Sequence, residues 1–296
     1  MTQDLQFLID ERDASERLDR FLASRLGSLS RMRINSLLAQ GACSVNKAQA
    51  APGLHLQAGD LVEISIDASE QTSMTPEAIP LDIVYEDRDL LVVNKPARML
   101  VHPTKGEKSG TLANALAYHL NRDAAASLIR PGLVHRLDRA TSGLMVVAKQ
   151  PRAHAILTRH FHRRLVEKRY LALVEGVIEE DALTISARIG RDPSAHPKWN
   201  VSESGKPAET RLRVLERRAG ATLVELEPVT GRTNQLRIHC AHAGHAILGD
   251  DWYGTRPAQR LCLHAARLCF HHPRGGDWLE FSTPLPEEIL KAANGG

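Results

Sequence analysis

The stretch GLVHRLDRATSGLMVVAK (132–149) limits the possible folds of this chain more than any other. Two apolar runs, Leu133–Val134 and Leu144–Val147, read as core strands, with His135, Arg136, Asp138 and Arg139 between them and Thr141, Ser142 and Gly143 as the turn. A carboxylate taken out of water is costly unless it is paired or put to use. Asp138 is therefore either a structural ion pair holding two strands or an ionised group in a dry pocket, kept so by an arginine that lowers its pKa. Arg232, on a Gly-initiated turn entering a helix in GRTNQLRIH (231–239), can supply that arginine.

The 296 residues, 43% hydrophobic and 25% charged, suffice for two moderate globular domains. No apolar run is long enough to span a membrane, and the opening residues lack a signal-peptide pattern, so a cytoplasmic protein is expected. Four cysteines without CxxC spacing indicate reduced thiols. His239, His242 and His245 recur every third residue, yet no carboxylate lies in that run, so no metal is expected. Nucleotide-cofactor motifs and a GxSxG elbow are absent, so no cofactor is expected and a serine hydrolase is disfavoured. The net charge of +3 says little, but cations cluster. Residues 20–59 hold Arg20, Arg25, Arg31, Arg33 and Lys47 without a carboxylate, and residues 149–169 hold seven Lys/Arg against Glu167 alone, which points to a polyanion partner.

Residues 15–75 read as one module: a helix capped by Ser15 and ended by Gly27, a second capped by Ser30 and ended by Gly41, then strands near Cys43–Val45 and Leu61–Ile66. Arg31 and Arg33 in the second helix's first turn oppose its dipole unless they meet a phosphate. ERLDRFLASRL, SRMRINSLLAQGACSVN and LQAGDLVEI resemble the S4 RNA-binding domain. A polar linker (67–80) leads into residues 76–296, where strands LDIVYED, LLVVNKP, YLALVEG, TRLRVLER and ATLVELEPV mix with a helix capped by Thr111 and another after Pro151. The last two strands form a hairpin across Ala219–Gly220. The helix after Pro151 carries Arg152, Arg159 and Arg163 opposite Leu157 and Phe161, a basic stripe that can follow a phosphate backbone. Residues 190–210 read as a mobile loop bearing Lys198 and Lys206.

GLVHRLDRATSGLMVVAK, NKPARMLVHPTKGEKSGTLANAL, EKRYLALVEG, VTGRTNQLRIHCAHAGHAILGDDWYG and RLCLHAARLCFHHP, in this order, resemble the motifs of the RluA-type pseudouridine synthases over residues 81–285. The resemblance implies an α+β fold: a small S4-like module, then a mixed, largely antiparallel sheet with a central cleft. It implies that Asp138 is the catalytic aspartate, that Tyr170 stacks on the target base, and that Arg232 pairs with Asp138. Arg136 would enter the RNA where the base has left, and Leu263 would lie under the base. Asn234 stands where the family usually has histidine. The implied substrate is RNA, ribosomal in preference to transfer RNA; a monomer without metal or cofactor is the default expectation, and the basic residues expected to contact RNA are Arg25, Arg31, Arg33, Lys47, Arg152, Arg159, Arg163 and Lys206. The competing expectation is a non-catalytic RNA-binding or ribosome-assembly protein. It is disfavoured because Asp138, Tyr170 and Arg232 are all present.

Overall fold

The computed structural model describes residues 2–26, 29, 31–67, 75–104, 106–122, 131–192, 194 and 199–293. The chain divides into two compact units, Met1–Ile79 with His102–Pro131, and Pro80–Val101 with Gly132–Gly296. The division at 79/80 lies near the expected 75/76, but residues 102–131, assigned from sequence to the second domain, group with the first unit.

The first unit contains β1 (Thr2–Leu8), α1 (Leu18–Arg25), α2 (Arg31–Ala39), β2 (Cys43–Val45), β3 (Ala48–Gln49), β4 (Leu61–Asp67) and α3 (Leu112–Asn121). Its sheet runs β1-β4-β2-β3. Leu18, Phe21 and Leu22 of α1 and Ile34, Leu37 and Leu38 of α2 recur at helical spacing and pack with Val62, Ile64 and Ile66, alternate residues of β4. The sequence reading missed β1, which pairs antiparallel with β4 over seven residues, so the unit begins well before residue 15. Ser15 is not the cap of α1. It lies in a turn at φ +70° with its N–H bonded to Leu56, and the N-cap is Arg17, whose guanidinium is drawn to Asp19 at 2.9 Å. The expected signals at Gly27 and Ser30 lie outside the described residues. Thr111 does cap α3, in a reciprocal box with Asn114.

The second unit is built on one mixed sheet. Its strands are β5 (Ile83–Glu86), β6 (Leu90–Lys95), β7 (Gly132–Leu133), β8 (Ser142–Ala148), β9 (Glu167–Glu175), β10 (Ala182–Ser186), β13 (Glu209–Arg218), β14 (Ala221–Pro228), β15 (Leu263–His271) and β16 (Trp278–Ser282). Between β10 and β13 a separate hairpin is formed by β11 (Ile189–Arg191) and β12 (Trp199–Val201). The helices are α4 (Pro151–His162), α5 (Gln235–His242) and α6 (Glu287–Ala293). The order is β10-β13-β14-β9-β15-β8-β6-β5, with β16 beside β15 and β7 beside β8, and every pairing is antiparallel except β8 with β15. Among the described residues no helix is long and apolar enough to cross a membrane.

The turn before β8 is made by Arg139 and Ala140, whereas Ser142 and Gly143 already belong to the strand. Residues 190–210 contain most of the β11–β12 hairpin, and Lys206 sits in a backbone bridge to Ile189, so this part is not a plain loop; Lys198 lies outside the described residues.

The parallel contact between β8 and β15 spans only His264 opposite Ser142 and Ala265 opposite Gly143. Gly143 has φ +122°, and a Cβ there would lie 2.4 Å from the Ala265 carbonyl oxygen and 2.5 Å from its nitrogen. Only glycine permits this approach. Beyond Ala265, β15 shifts register against β9 and takes β16 as its other neighbour, so the sheet splits beside β8. Gly143→Ala is expected to destabilise the protein by about 3 kcal/mol or more through overpacking and backbone strain, read as a lowered midpoint in thermal or urea unfolding.

Candidate active site

A cleft of about 830 Å³ opens in the second unit. Its walls are the 134–138 segment before β8, the end of α4 (Thr158, Phe161, His162), Lys168 and Tyr170 on β9, residues 227–237 running into α5, and Leu263 at the start of β15. Asp138, Arg136, Tyr170, Arg232 and Leu263 all line it.

The segment bearing Asp138 is anchored on both sides. His135 stacks on Phe161 with ring centroids 4.5 Å apart and accepts the Val146 N–H at its Nε2, 3.1 Å away. That bond requires a neutral ring, and burial, with the Lys168 charge adding to it, pulls its pKa down to about 3. On the other side, the fully buried Lys95 donates from Nζ to the carbonyls of Pro96 (2.7 Å), Met99 (2.9 Å) and Arg139 (3.4 Å), clamping the turn after Asp138. Burial and Arg260 press its pKa down to about 7, while Asp138 acts in the opposite direction. Deeper in the sheet, Arg260 donates to Ser142 Oγ at 2.6 Å, Ser142 Oγ shares a hydrogen bond with His264 Nδ1 (2.8 Å), and His264 Nε2 shares one with Thr283 (2.9 Å). This chain of bonds locks β8 to β15 where they meet.

Burial pushes the Asp138 carboxyl above its ordinary value, against Arg237, Arg136 and Lys95, which favour ionisation in that order. The expectation of a pKa held low is thereby corrected: desolvation outweighs the cations in the free protein. The partner arginine is corrected as well. Arg232 donates from Nε to the Pro207 carbonyl (3.2 Å) and is not among the charges acting on Asp138. Arg237, five residues on and inside α5, takes that place. Its Nε and Nη2 reach the two Asp250 oxygens at 2.7 and 2.6 Å, and its guanidinium lies 5.2 Å from the ring centres of both Trp252 and Tyr253. Asp250 also accepts the N–H groups of Trp252 and Tyr253, so the cation is held in a rigid fork. Sequence reasoning stopped at Arg232 because the turn is visible locally, whereas Asp250 is brought beside α5 only by the fold.

Tyr170 is half-buried, and burial together with the Asp138 charge raises its phenol further above the ordinary value, so it is uncharged at neutral pH. Leu263 is buried. Asn234 adopts the left-handed conformation (φ +54°) before α5, which asparagine tolerates better than most residues, and donates to the Tyr253 hydroxyl at 3.3 Å. His239 and His245 bond to protein oxygens, His239 to Thr210 and Ala187 and His245 to Glu175.

The surface cations divide into groups. Arg152, Arg159 and Arg163 are exposed on or just after α4, and Lys206 is exposed, but none of them lines the cleft. Arg25 pairs with Asp13 at 2.5 Å and covers the Phe21 ring. Lys47 is exposed, Arg33 reaches Ser36, and the Arg31 side chain lies outside the described part.

Known proteins share this fold. The structure of human RNA pseudouridylate synthase domain containing 1 is similar over 75% of this chain and 98% of its own, with a TM-score of 0.59 and 33% identity. The fold is that of an enzyme class that rearranges nucleotides within RNA. A family model described as RNA pseudouridylate synthase matches residues 89–242. A Bacillus subtilis (strain 168) protein described as an uncharacterized RNA pseudouridine synthase, YlyB, is 41% identical over 95% of this chain and 94% of its own. The ribosomal large subunit pseudouridine synthase D of Pasteurella multocida (strain Pm70) is 37% identical over 93% and 90%. The chain belongs to the RNA pseudouridylate synthase family and is an isomerase that acts on RNA.

The raised pKa of Asp138 makes a prediction about stability. A carboxyl whose folded pKa exceeds its unfolded one binds more protons in the fold, so stability falls as pH rises through the unfolded and then the folded value. Asp138→Asn is therefore expected to raise the thermal midpoint at pH 7, and this gain should vanish at a pH below the ordinary aspartate value. Thermal scans of both proteins across pH check the sign.

Proposed function

We propose that the protein converts uridine to pseudouridine in large-subunit ribosomal RNA, with Asp138 as the group that acts at the sugar C1′. The observation that carries this reading is the half-buried Asp138 carboxyl facing Arg237 in the cleft, close enough to Tyr170 for its charge to be felt there. The reaction breaks the N1–C1′ bond and forms C5–C1′; C5 loses a hydrogen, N1 gains one, and nothing is oxidised. A carboxylate suits a carbon acquiring positive character, either as nucleophile or as counter-charge. Burial gives Asp138 reactivity that a solvated carboxylate lacks, and Arg237 keeps the ionised form within reach.

The base must leave the RNA stack to reach this group. Tyr170, uncharged and on the cleft wall, supplies a ring for it to stack on, and Leu263 supplies the apolar surface beneath. Arg136, exposed at the same wall, is placed to fill the space the base leaves. The ribosomal target rests on the likeness to the Pasteurella relative and to a Neisseria meningitidis serogroup A relative, likewise a ribosomal large subunit pseudouridine synthase D, which is 39% identical over 93% of this chain. Helices α1 and α2 and the sheet of the first unit, with the S4 resemblance, support a second RNA contact through Arg33 and Lys47.

Mapping pseudouridines in ribosomal and transfer RNA from cells with and without the protein tests the target. Loss of a site in the large-subunit RNA is expected, and loss only in transfer RNA would redirect the assignment. Asp138→Asn should abolish product while binding RNA nearly normally; turnover above a few per cent would remove Asp138 from the chemistry. Arg237→Lys should lose on the order of 100-fold in rate, because an ammonium cannot hold two parallel bonds, whereas Arg232→Lys should stay within a few-fold of the parent. Single-turnover assays on folded variants separate the two arginines.

A further inference from the structure

We propose that Lys168 and Arg164 form a binding site for a phosphodiester of the RNA strand next to the target nucleotide. The proposal rests on the catalytic reading of Asp138 only for which nucleotide is meant. Both side chains line the cleft. Neither makes a side-chain hydrogen bond or an ion pair among the described residues, although thirteen of the other described lysines and arginines pair with carboxylates in this same fold. Lys168 is half-buried, and its pKa is lowered first by burial and then by the like charge of Arg164. Lys168, desolvated on the cleft wall, and the more exposed Arg164 repel each other until an anion lies between them.

The carboxylates of that wall are engaged elsewhere. Glu227 is taken by Arg169 and Arg211, and the charge of Glu167 is felt at Arg267 and Cys269, not at Lys168. The position fits an RNA strand. Lys168 and Tyr170 stand two residues apart on β9 and both face the cleft, a separation of about 7 Å along the strand. A base stacked on Tyr170 would place a neighbouring phosphate within reach of Lys168. The Phe161 and His135 rings, stacked and uncharged, floor this part of the cleft and limit hydration. The cations that follow the backbone near the reaction would then be Lys168 and Arg164, which line the cleft, and not Arg152, Arg159 and Arg163, which lie off it.

The test uses the full chain and an unmodified large-subunit ribosomal RNA transcript, with affinity measured across a potassium chloride series and pseudouridine formation beside it. Lys168→Met should weaken binding about tenfold, the worth of one charge-assisted hydrogen bond. It should also flatten the slope of log affinity against log salt by ~0.7, the single-strand value for one phosphate contact. The same variant should raise the thermal midpoint, because it removes an unpaired desolvated cation. Lys168→Arg should keep affinity and slope, and Arg164→Ala should flatten the slope as Lys168→Met does. Unchanged affinity and slope in Lys168→Met would overturn the site. A lowered midpoint with lost affinity that Lys168→Arg fails to restore would also overturn it, by making Lys168 a structural strut. A transcript that binds with a Lys168-dependent slope yet gains no pseudouridine would uphold the phosphate contact and remove only the proposed target.

Discussion

The second unit depends on the two-residue parallel contact between β8 and β15. Gly143 lets the two backbones meet closer than any side chain would allow, and the Arg260–Ser142–His264–Thr283 chain of hydrogen bonds fixes them there. Because β15 then exchanges β8 for β16, the sheet opens beside the point of closest contact. Asp138 enters from the segment before β8, Leu263 from the start of β15, and Tyr170 from β9, the other neighbour of β15. A short join between otherwise diverging strands thus turns a continuous sheet into a mount for a cleft.

Charge within the cleft is arranged at a cost to stability. Asp138 is buried enough to be harder to ionise than a free aspartate, and its strongest counter-charge, Arg237, is shared with Asp250. The division of roles is physical. Asp250 holds both arms of the fork, so the guanidinium cannot rotate away, while its remaining field acts on Asp138. Lys95 and His135 hold the Asp138 segment by backbone contacts, the lysine by donating to carbonyls and the histidine by accepting an amide proton while neutral.

Much of this was legible in the residues. Apolar periodicity located α1, α2 and α4, the Ala219–Gly220 hairpin and the strands around Asp138, because these depend on neighbours close in sequence. Asp138, Tyr170 and Leu263 were found through motif resemblance and all line the cleft. Strand β1 was missed because Leu5 and Phe7 alternate among polar residues, and only pairing with β4, more than fifty residues away, makes a strand of them. Ser15 looked like a cap by type, but the turn it occupies is set by a backbone bond to Leu56.

The sequence alone determined the kinds of group available: a carboxylate between arginines, an aromatic on a strand, and cations without nearby acids. Which arginine serves the carboxylate was decided only by tertiary structure. Arg232 and Arg237 lie five residues apart in one motif, and local pattern cannot rank them. The fold brings Asp250 beside α5 and Pro207 beside Arg232, so that one guanidinium is fixed toward Asp138 and the other is tied to a backbone carbonyl. The pKa of Asp138 was decided in the same way, because desolvation depends on what surrounds a group in space, and neither burial nor the distance to a counter-charge can be read from the order of residues.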